Sequence, residues 1–272
     1  MLHSTLSIQQ KLQELEIRLS KMDSLLIAFS GGIDSSFLLA VAASVLREKT
    51  IALMTVSNST PPEDEQHALS LAERLNVEFL RIQHDELAIP QYAANPKNRC
   101  YFCKDSLYAI CKREAERLKF QFIADGINID DLGDYRPGIQ AAAEYNIIHP
   151  LVEVQFTKSD IRQGSKLLGL SIWNKPASPC LSSRIPYGST ITKTMLSQIA
   201  KGENVLRTLG FKEVRLRHHG KMARIEVARE ESELLSVPAI ARMIGKNIKA
   251  IGFDFVGLDA QGYKRGIFNE NS

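Results

Sequence analysis

The sequence predicts an α/β protein, a doubly wound parallel sheet followed by a smaller C-terminal α+β domain. Three observations predict it. Short apolar runs alternate with helical ones from residue 25 to about residue 145; parallel strands need crossover helices, so this alternation marks a doubly wound sheet. The stretch WNKPASPCLSSRIPYGST, residues 173–190, is crowded with proline, serine and glycine, which cannot hold regular structure for long. Beyond it, two alternating runs meet at His219-Gly220, the pattern of strands joined by a tight turn.

In chain order, Ile8, Leu12, Leu15, Leu19 and Met22 form one apolar stripe, so residues 7–22 should be an amphipathic helix packed on the domain. LLIAF (25–29) is a strand followed by a helix from Ser35, and IALMTVS (51–57) a strand followed by a helix over 63–76. VEFLRI (77–82) precedes a helix over 104–118, and FQFIADG (120–126) precedes helical PGIQAAAEY (137–145). A helix over 159–168 leads to the domain boundary, placed so that residues 1–180 form the first domain and 181–272 the second. The second carries a helix over 194–209, strands within EVRLRHHGKMARIEVA (213–228), helical material over 230–249 and a last strand, DFVGL (254–258). Ligands of a doubly wound sheet sit at the carboxyl ends of its strands, which singles out the loops after Phe29, Val56 and Ala124.

With 44% hydrophobic residues in 272, the chain can bury a core. No run approaches the ~20 apolar residues of a membrane helix, and no basic stretch leads into an apolar one at the start, so a cytoplasmic protein without a membrane partner is expected. Cysteines number 4, too few for a disulfide scaffold, so close pairs point to metal or redox chemistry. The net charge of +3 is uneven: residues 1–180 hold 19 Lys and Arg against 22 Asp and Glu, the remainder 15 against 9. The basic second part suits a polyanion such as a nucleotide or RNA, or an ordinary solvated face.

At the end of the first strand stands SGGIDSS (30–36). A strand that stops in glycines and opens a helix aims unpaired N–H groups at one point with the helix dipole behind them, which makes an anion site suited to phosphate. Gly31 and Gly32 let the main chain approach an oxygen, and Ser30, Ser35 and Ser36 add hydroxyls. Asp34 would repel phosphate unless a cation such as Mg2+ lies between; otherwise it is an acidic residue favoured by the dipole. No lysine follows the glycines, which excludes the Walker mode of gripping terminal phosphates.

Cys100 and Cys103 stand three residues apart in NRCYFCKDS, and Cys180 lies in ASPCLSSR. Three thiols that converge could hold a 4Fe-4S cluster with one iron open to carry sulfide. Zinc would need a fourth ligand that the spacing does not supply, and a simple dithiol with an isolated thiol is the plain alternative. Cys111 falls among helical packing positions, and His149, His218 and His219 adjoin a proline or a tight turn, where structural roles are expected.

SGGIDSS resembles the PP-loop of the ATP pyrophosphatase superfamily, whose fold is of the adenine nucleotide alpha hydrolase type. Together with DGINIDDLGDYRPG, WNKPASPCLSSRIPYG and RLRHHGKMARIE in that order, the chain is similar to the LarE family from about Leu25 to Arg265. The resemblance implies an ATP-dependent sulfurtransferase: carboxylates of pyridinium-3,5-biscarboxylate mononucleotide are adenylated with loss of pyrophosphate, then converted to thiocarboxylates for the nickel-pincer cofactor of lactate racemase. It implies ATP, Mg2+ and a 4Fe-4S cluster as cofactors, with Cys100, Cys103 and Cys180 as metal ligands. Sacrificial members of the family carry their cysteine where this chain has Pro179, so the resemblance is to the three-cysteine members.

Carried over position by position, the pyrophosphate loop falls on Ser30, Gly31, Gly32, Asp34, Ser35 and Ser36, and adenosine-side loops on Ser57, Asp125 and Gly126. Cys180, Lys104, Arg184 and Glu226 match catalytic positions; Ser183, Arg184, Arg215, Arg217 and Glu203 match substrate-binding ones. The resemblance also implies a homo-oligomer and a sulfide donor such as a cysteine desulfurase. A tRNA thiolase of the same superfamily and a non-catalytic ATP-binding sensor are the alternatives. RNA is the weaker partner, because a thiolase would want further zinc-binding cysteines or an RNA-binding module.

Overall fold

The computed structural model describes residues 6–133, 137–175 and 179–263. The strings DYR (134–136) and PAS (176–178), which helped carry the resemblance, lie outside the described residues. The chain divides into two compact units: Met1–Glu86 with Asn98–Ser178, and Leu87–Lys97 with Pro179–Ser272. The short piece from Leu87 to Lys97, which nothing in the sequence sets apart, therefore groups with the second unit. Among the described residues, no helix is long and apolar enough to cross a membrane.

The first unit is built on four parallel strands, β1 (Leu25–Ala28), β2 (Thr50–Val56), β3 (Glu78–Gln83) and β4 (Phe122–Ala124), in the order β3-β2-β1-β4. β1 pairs with β2 on one side and β4 on the other. All four of its residues are buried, as a strand covered on both faces requires. Its side chains alternate. Leu25 and Ile27 join the core formed with Leu15 and Leu19 of α1 (Ile8–Ser20) and Phe37 of α2 (Ile33–Leu46). Leu26 and Ala28 join a second core with Tyr108, Cys111 and Ala115. One strand of alternating residues thus serves two layers of helices. Within the first layer α1 starts at a Ser7–Gln10 capping box, and its Lys11 reaches Asp160, 2.7 Å away.

The remaining helices of this unit are α3 (Pro62–Leu75), α5 (Arg99–Leu118), α6 (Pro137–Glu144), the single turn α7 (Pro150–Glu153) and α8 (Lys158–Leu167). The single turn α4 (Pro90–Ala93) belongs to the second unit. From β1 the chain runs outward to β2 and β3, then returns to lay β4 on the opposite side of β1. That reversal places the switch in strand order between β1 and β4, and ligands of such sheets bind at the carboxyl ends of the strands at that point.

In the second unit β5 (Val214–His219) and β6 (Met222–Val227) form an antiparallel hairpin whose turn holds Gly220 at φ +65°. β7 (Phe255–Leu258) pairs with β6 in parallel, because α10 (Ser232–Leu235) and α11 (Pro238–Ala250) form the crossover between them. α9 (Lys193–Thr208) lies so close to β5 that a Cβ on Gly202 would stand 2.2 Å from the Leu216 side chain. In the same unit the 87–97 segment is bound to the chain that follows Cys180. Tyr92 and Ser182 hydroxyls are 2.6 Å apart, and the buried Asn95 amide donates to the Pro186 carbonyl at 2.8 Å.

Candidate functional site

β1 delivers the chain into the glycine turn. Gly31 sits at φ +69°, and a Cβ there would meet the Asp64 carbonyl oxygen at 2.6 Å, so both conformation and space demand glycine. The Ser30 hydroxyl lies 3.1 Å from that of Ser35, and Ser35 Oγ donates to the Gly32 carbonyl at 3.2 Å. Gly32 is the N-cap of α2 and offers no side chain to occupy the first N–H groups of the helix. In that first turn Ser36 is buried and its hydroxyl has no hydrogen-bond partner among the described residues. Asp34, with its Oδ1 buried, completes the turn and would be the oxygen ligand for a hard divalent cation beside phosphate.

Asp125 and Gly126 arrive from the end of β4. A Cβ on Gly126 would fall 2.6 Å from Ser35 N, so the bare glycine lets this loop lie against the start of α2. Asp125 is buried and accepts from the Tyr108 hydroxyl at 2.5 Å and from Ile127 N at 3.1 Å, with His149 Nδ1 at 2.8 Å. Burial alone would raise its pKa, but the His149 hydrogen bond, the charge of Lys104 and the Tyr108 hydroxyl outweigh it and hold the carboxyl below its usual range. Burial would likewise strip the proton from Lys104, whose ammonium lies 5.2 Å from the centre of the Tyr108 ring. The opposing pull of Tyr108 and Asp125 wins, so Lys104 stays firmly charged. His149 thus serves as a partner of Asp125. Cys111 is fully buried, its thiol pushed up to about 12 mainly by that burial, which suits a packing residue.

α5 begins at Arg99, earlier than the periodicity suggested, and this puts Cys100 and Cys103 on neighbouring positions of one helix face. Cys100 is exposed and Cys103 half-buried. Cys103 Sγ donates to Glu86 Oε1 at 3.0 Å; the other oxygen of that carboxylate accepts from Ser57 at 2.9 Å and Ser59 at 2.6 Å. Glu86 and Ser59, which the sequence did not point to, therefore join the expected adenosine-side loop to an expected metal ligand. Cys180 belongs to the second unit. Among the described residues, no group of three His, Cys, Asp or Glu stands ready to hold an ion. The thiols themselves, soft donors and two of them adjacent on α5, fit an iron–sulfur centre by ligand type.

Lys175 is a third residue that sequence reasoning did not single out. Its ammonium lies 2.7 Å from Asp64 Oδ1, 3.2 Å from His67 Nδ1 and 3.4 Å from the Gly31 carbonyl, 144 positions away along the chain. No local pattern could signal this.

In the second unit the structure gives Arg184 a different setting from an open substrate contact. It is 1% exposed. Its guanidinium grips both Glu203 oxygens at 2.8 and 3.1 Å, and donates to the carbonyls of Pro179 at 2.6 Å and Cys180 at 3.1 Å and to Ser183 Oγ at 3.0 Å. Glu203 is 0% exposed and also accepts from Arg207 and from Leu216 N. Burial would raise its pKa, but the arginines, Arg184 foremost, hold it ionised. The pair is therefore a strut under the Cys180 loop. Glu226, equally buried, takes Arg217 at 2.9 and 2.8 Å and Arg224 at 3.0 Å, and Arg217 also donates to the Ser183 carbonyl at 2.9 Å. Arg215 stacks on Tyr263, 4.7 Å from the ring centre. His218 and His219 are held below the usual imidazole range chiefly by burial.

The strut carries a stability prediction. Replacing Arg184 with methionine leaves a buried carboxylate without its main partner, which costs about 3–5 kcal/mol. The urea midpoint should fall accordingly, and Arg184→Lys, which restores charge without the planar fork, should recover only part of it. A midpoint unchanged in Arg184→Met would remove the strut.

The NAD synthase family model matches residues 4–106. A protein of Synechocystis sp. described as uncharacterised is 41% identical over 262 residues, 96% of this chain and 98% of that protein. The pyridinium-3,5-bisthiocarboxylic acid mononucleotide synthase of Lactiplantibacillus plantarum is 34% identical over 253 residues, 93% of this chain and 91% of its own. An uncharacterised protein of Methanocaldococcus jannaschii is 30% identical over 247 residues, 90% of this chain and 92% of its own.

Proposed function

The chain belongs to the family of the pyridinium-3,5-bisthiocarboxylic acid mononucleotide synthases, and from that premise we propose that it is an ATP-dependent sulfurtransferase acting on pyridinium-3,5-biscarboxylate mononucleotide. The likeness to the Lactiplantibacillus synthase over nearly the whole of both chains carries the reading. The glycine turn is the feature that supports the use of ATP.

A carboxylate is a poor electrophile because oxide is a poor leaving group. One substrate carboxylate oxygen attacks the α-phosphorus of ATP, and the bond to the β-phosphate oxygen breaks to release pyrophosphate. A sulfur nucleophile then adds to the acyl carbon, the bond to AMP breaks, and C–S replaces C–O. Two carboxylates require two rounds. Ser30, Gly31, Gly32, Ser35 and Ser36 receive the pyrophosphate portion, with Ser57, Asp125 and Gly126 on the adenosine side. Asp34 would hold Mg2+, which supplies neutralising charge to the phosphates.

Cys100, Cys103 and Cys180 would hold a 4Fe-4S cluster, which supplies sulfide when bound. Lys104, kept charged by Asp125 and Tyr108, offsets the anionic charge that accumulates around adenylation. We assign Arg215, Arg217 and Ser183 to the substrate phosphate, with Arg217 anchored by Glu226 and the Ser183 carbonyl, whereas Arg184, Glu203 and Glu226 act as positioning residues for the Cys180 loop and β5. The first unit serves the nucleotide, and the second serves the substrate and assembly into a cytoplasmic homo-oligomer. A cysteine desulfurase is a fitting source of sulfide.

The test is direct. Anaerobically prepared protein, given ATP, magnesium, sulfide and the biscarboxylate, should release pyrophosphate and AMP and yield a product whose mass shows sulfur in place of oxygen. ATP turnover without sulfur in the product, or no turnover at all with this substrate, would refute the assignment.

A further inference from the structure

We propose that Lys175 is a cationic side chain of the phosphate grip, supplied from the segment that runs toward Cys180 rather than from the start of α2. The inference rests on the reading that the glycine turn holds the pyrophosphate portion of ATP.

An ammonium has three N–H donors and no acceptor. Those of Lys175 are directed at Asp64 Oδ1, the Gly31 carbonyl and His67 Nδ1. Two of the three acceptors are built into the fold. Asp64 is 5% exposed, and its backbone carbonyl is the atom that leaves Gly31 no room for a side chain. The third, His67, is an exposed residue one turn further along α3. A phosphate oxygen can take the place of that ring without disturbing the other two contacts.

Charge makes the same case. Pyrophosphate carries several negative charges, more than the Mg2+ assigned to Asp34 would neutralise once that carboxylate has taken its share. The positive end of a helix dipole amounts to about half a charge, which does not balance them. An ammonium 3.4 Å from a carbonyl of the turn does more. Asp64 fixes its position and keeps the side chain, 16% exposed, from swinging into solvent. The lysine absent after the glycines is thus replaced through space, from a string 144 positions further along the chain.

Calorimetric titration of the full-length protein with inorganic pyrophosphate, and separately with adenosine, tests this. Lys175→Gln should weaken pyrophosphate about tenfold or more while adenosine binding is unchanged. Asp64→Asn, which leaves the lysine with its charge unmatched, should tighten pyrophosphate. A purely structural ion pair predicts instead that both substitutions weaken both ligands, and that outcome overturns the proposal, as does pyrophosphate affinity retained in Lys175→Gln. Should Lys175→Gln fail to fold, the sign of the Asp64→Asn effect decides alone. Unsubstituted protein that binds adenosine but no pyrophosphate would refute the reading of the turn itself, and the lysine's role with it, before any variant is made.

Discussion

Cys180→Ala is expected to abolish thiocarboxylate formation while ATP still yields pyrophosphate in the presence of the pyridinium substrate. On the proposed mechanism, adenylation uses the glycine turn, Lys104 and the substrate carboxylate, all independent of the Cys180 thiol, whereas replacing AMP uses the sulfur. The Arg184 strut holds the backbone carbonyl of Cys180, a contact that the alanine variant retains. Iron and acid-labile sulfide measured after anaerobic purification should fall in Cys100→Ala, Cys103→Ala and Cys180→Ala alike. Unchanged content in any one of them would break the three-ligand centre, and thiocarboxylate made by Cys180→Ala would sink the chemistry assigned to it.

Gly31→Ala should act on the other half-reaction. At φ +69° an L side chain costs about 1–2 kcal/mol, and the new Cβ must also push aside a backbone oxygen 2.6 Å away. The Asp64 carbonyl cannot swing clear as a long side chain would, so the turn itself shifts. Misplacement of reacting groups by about 1 Å can cost roughly 100-fold in rate, and pyrophosphate release should fall by at least that order. A fall confined to thermal stability, with pyrophosphate release intact, would show that the turn does not carry the phosphates.

Much of this architecture was legible in the linear chain because it rests on short-range rules. The stripe of Ile8, Leu12, Leu15, Leu19 and Met22 meant a helix because 3.6-residue periodicity is local, and Leu15, Leu19 and Met22 are indeed buried. The glycine turn was visible for the same reason: strand, Gly-Gly and helix start are contiguous. The start of α5 was read late because cysteine, tyrosine and phenylalanine give no strong helix signal at its first turn.

Less legible were the functions of the charged residues around the site. The resemblance places Arg184 among catalytic and substrate-binding positions, and the fold gives it a buried partner in Glu203, 19 positions on, that nothing in the sequence announced. Glu86 lay in no motif, and Lys175, though inside WNKPASPCLSSRIPYG, had nothing beside it to mark its partners. A carboxylate's partners are chosen by which chain segments the core brings within about 3 Å, and that distance is set by packing rather than by neighbours in the sequence.

By itself, the order of residues determined the strands, the helices, the place of the glycine turn and the positions of the thiols, since each is written in patterns a few residues long. Only the folded chain decided which charges those parts would meet: Lys175 on Gly31, Glu86 on Cys103, Arg184 beneath the Cys180 loop. Low-dielectric surroundings make such pairings energetically decisive, and burial arises only once distant segments have packed together.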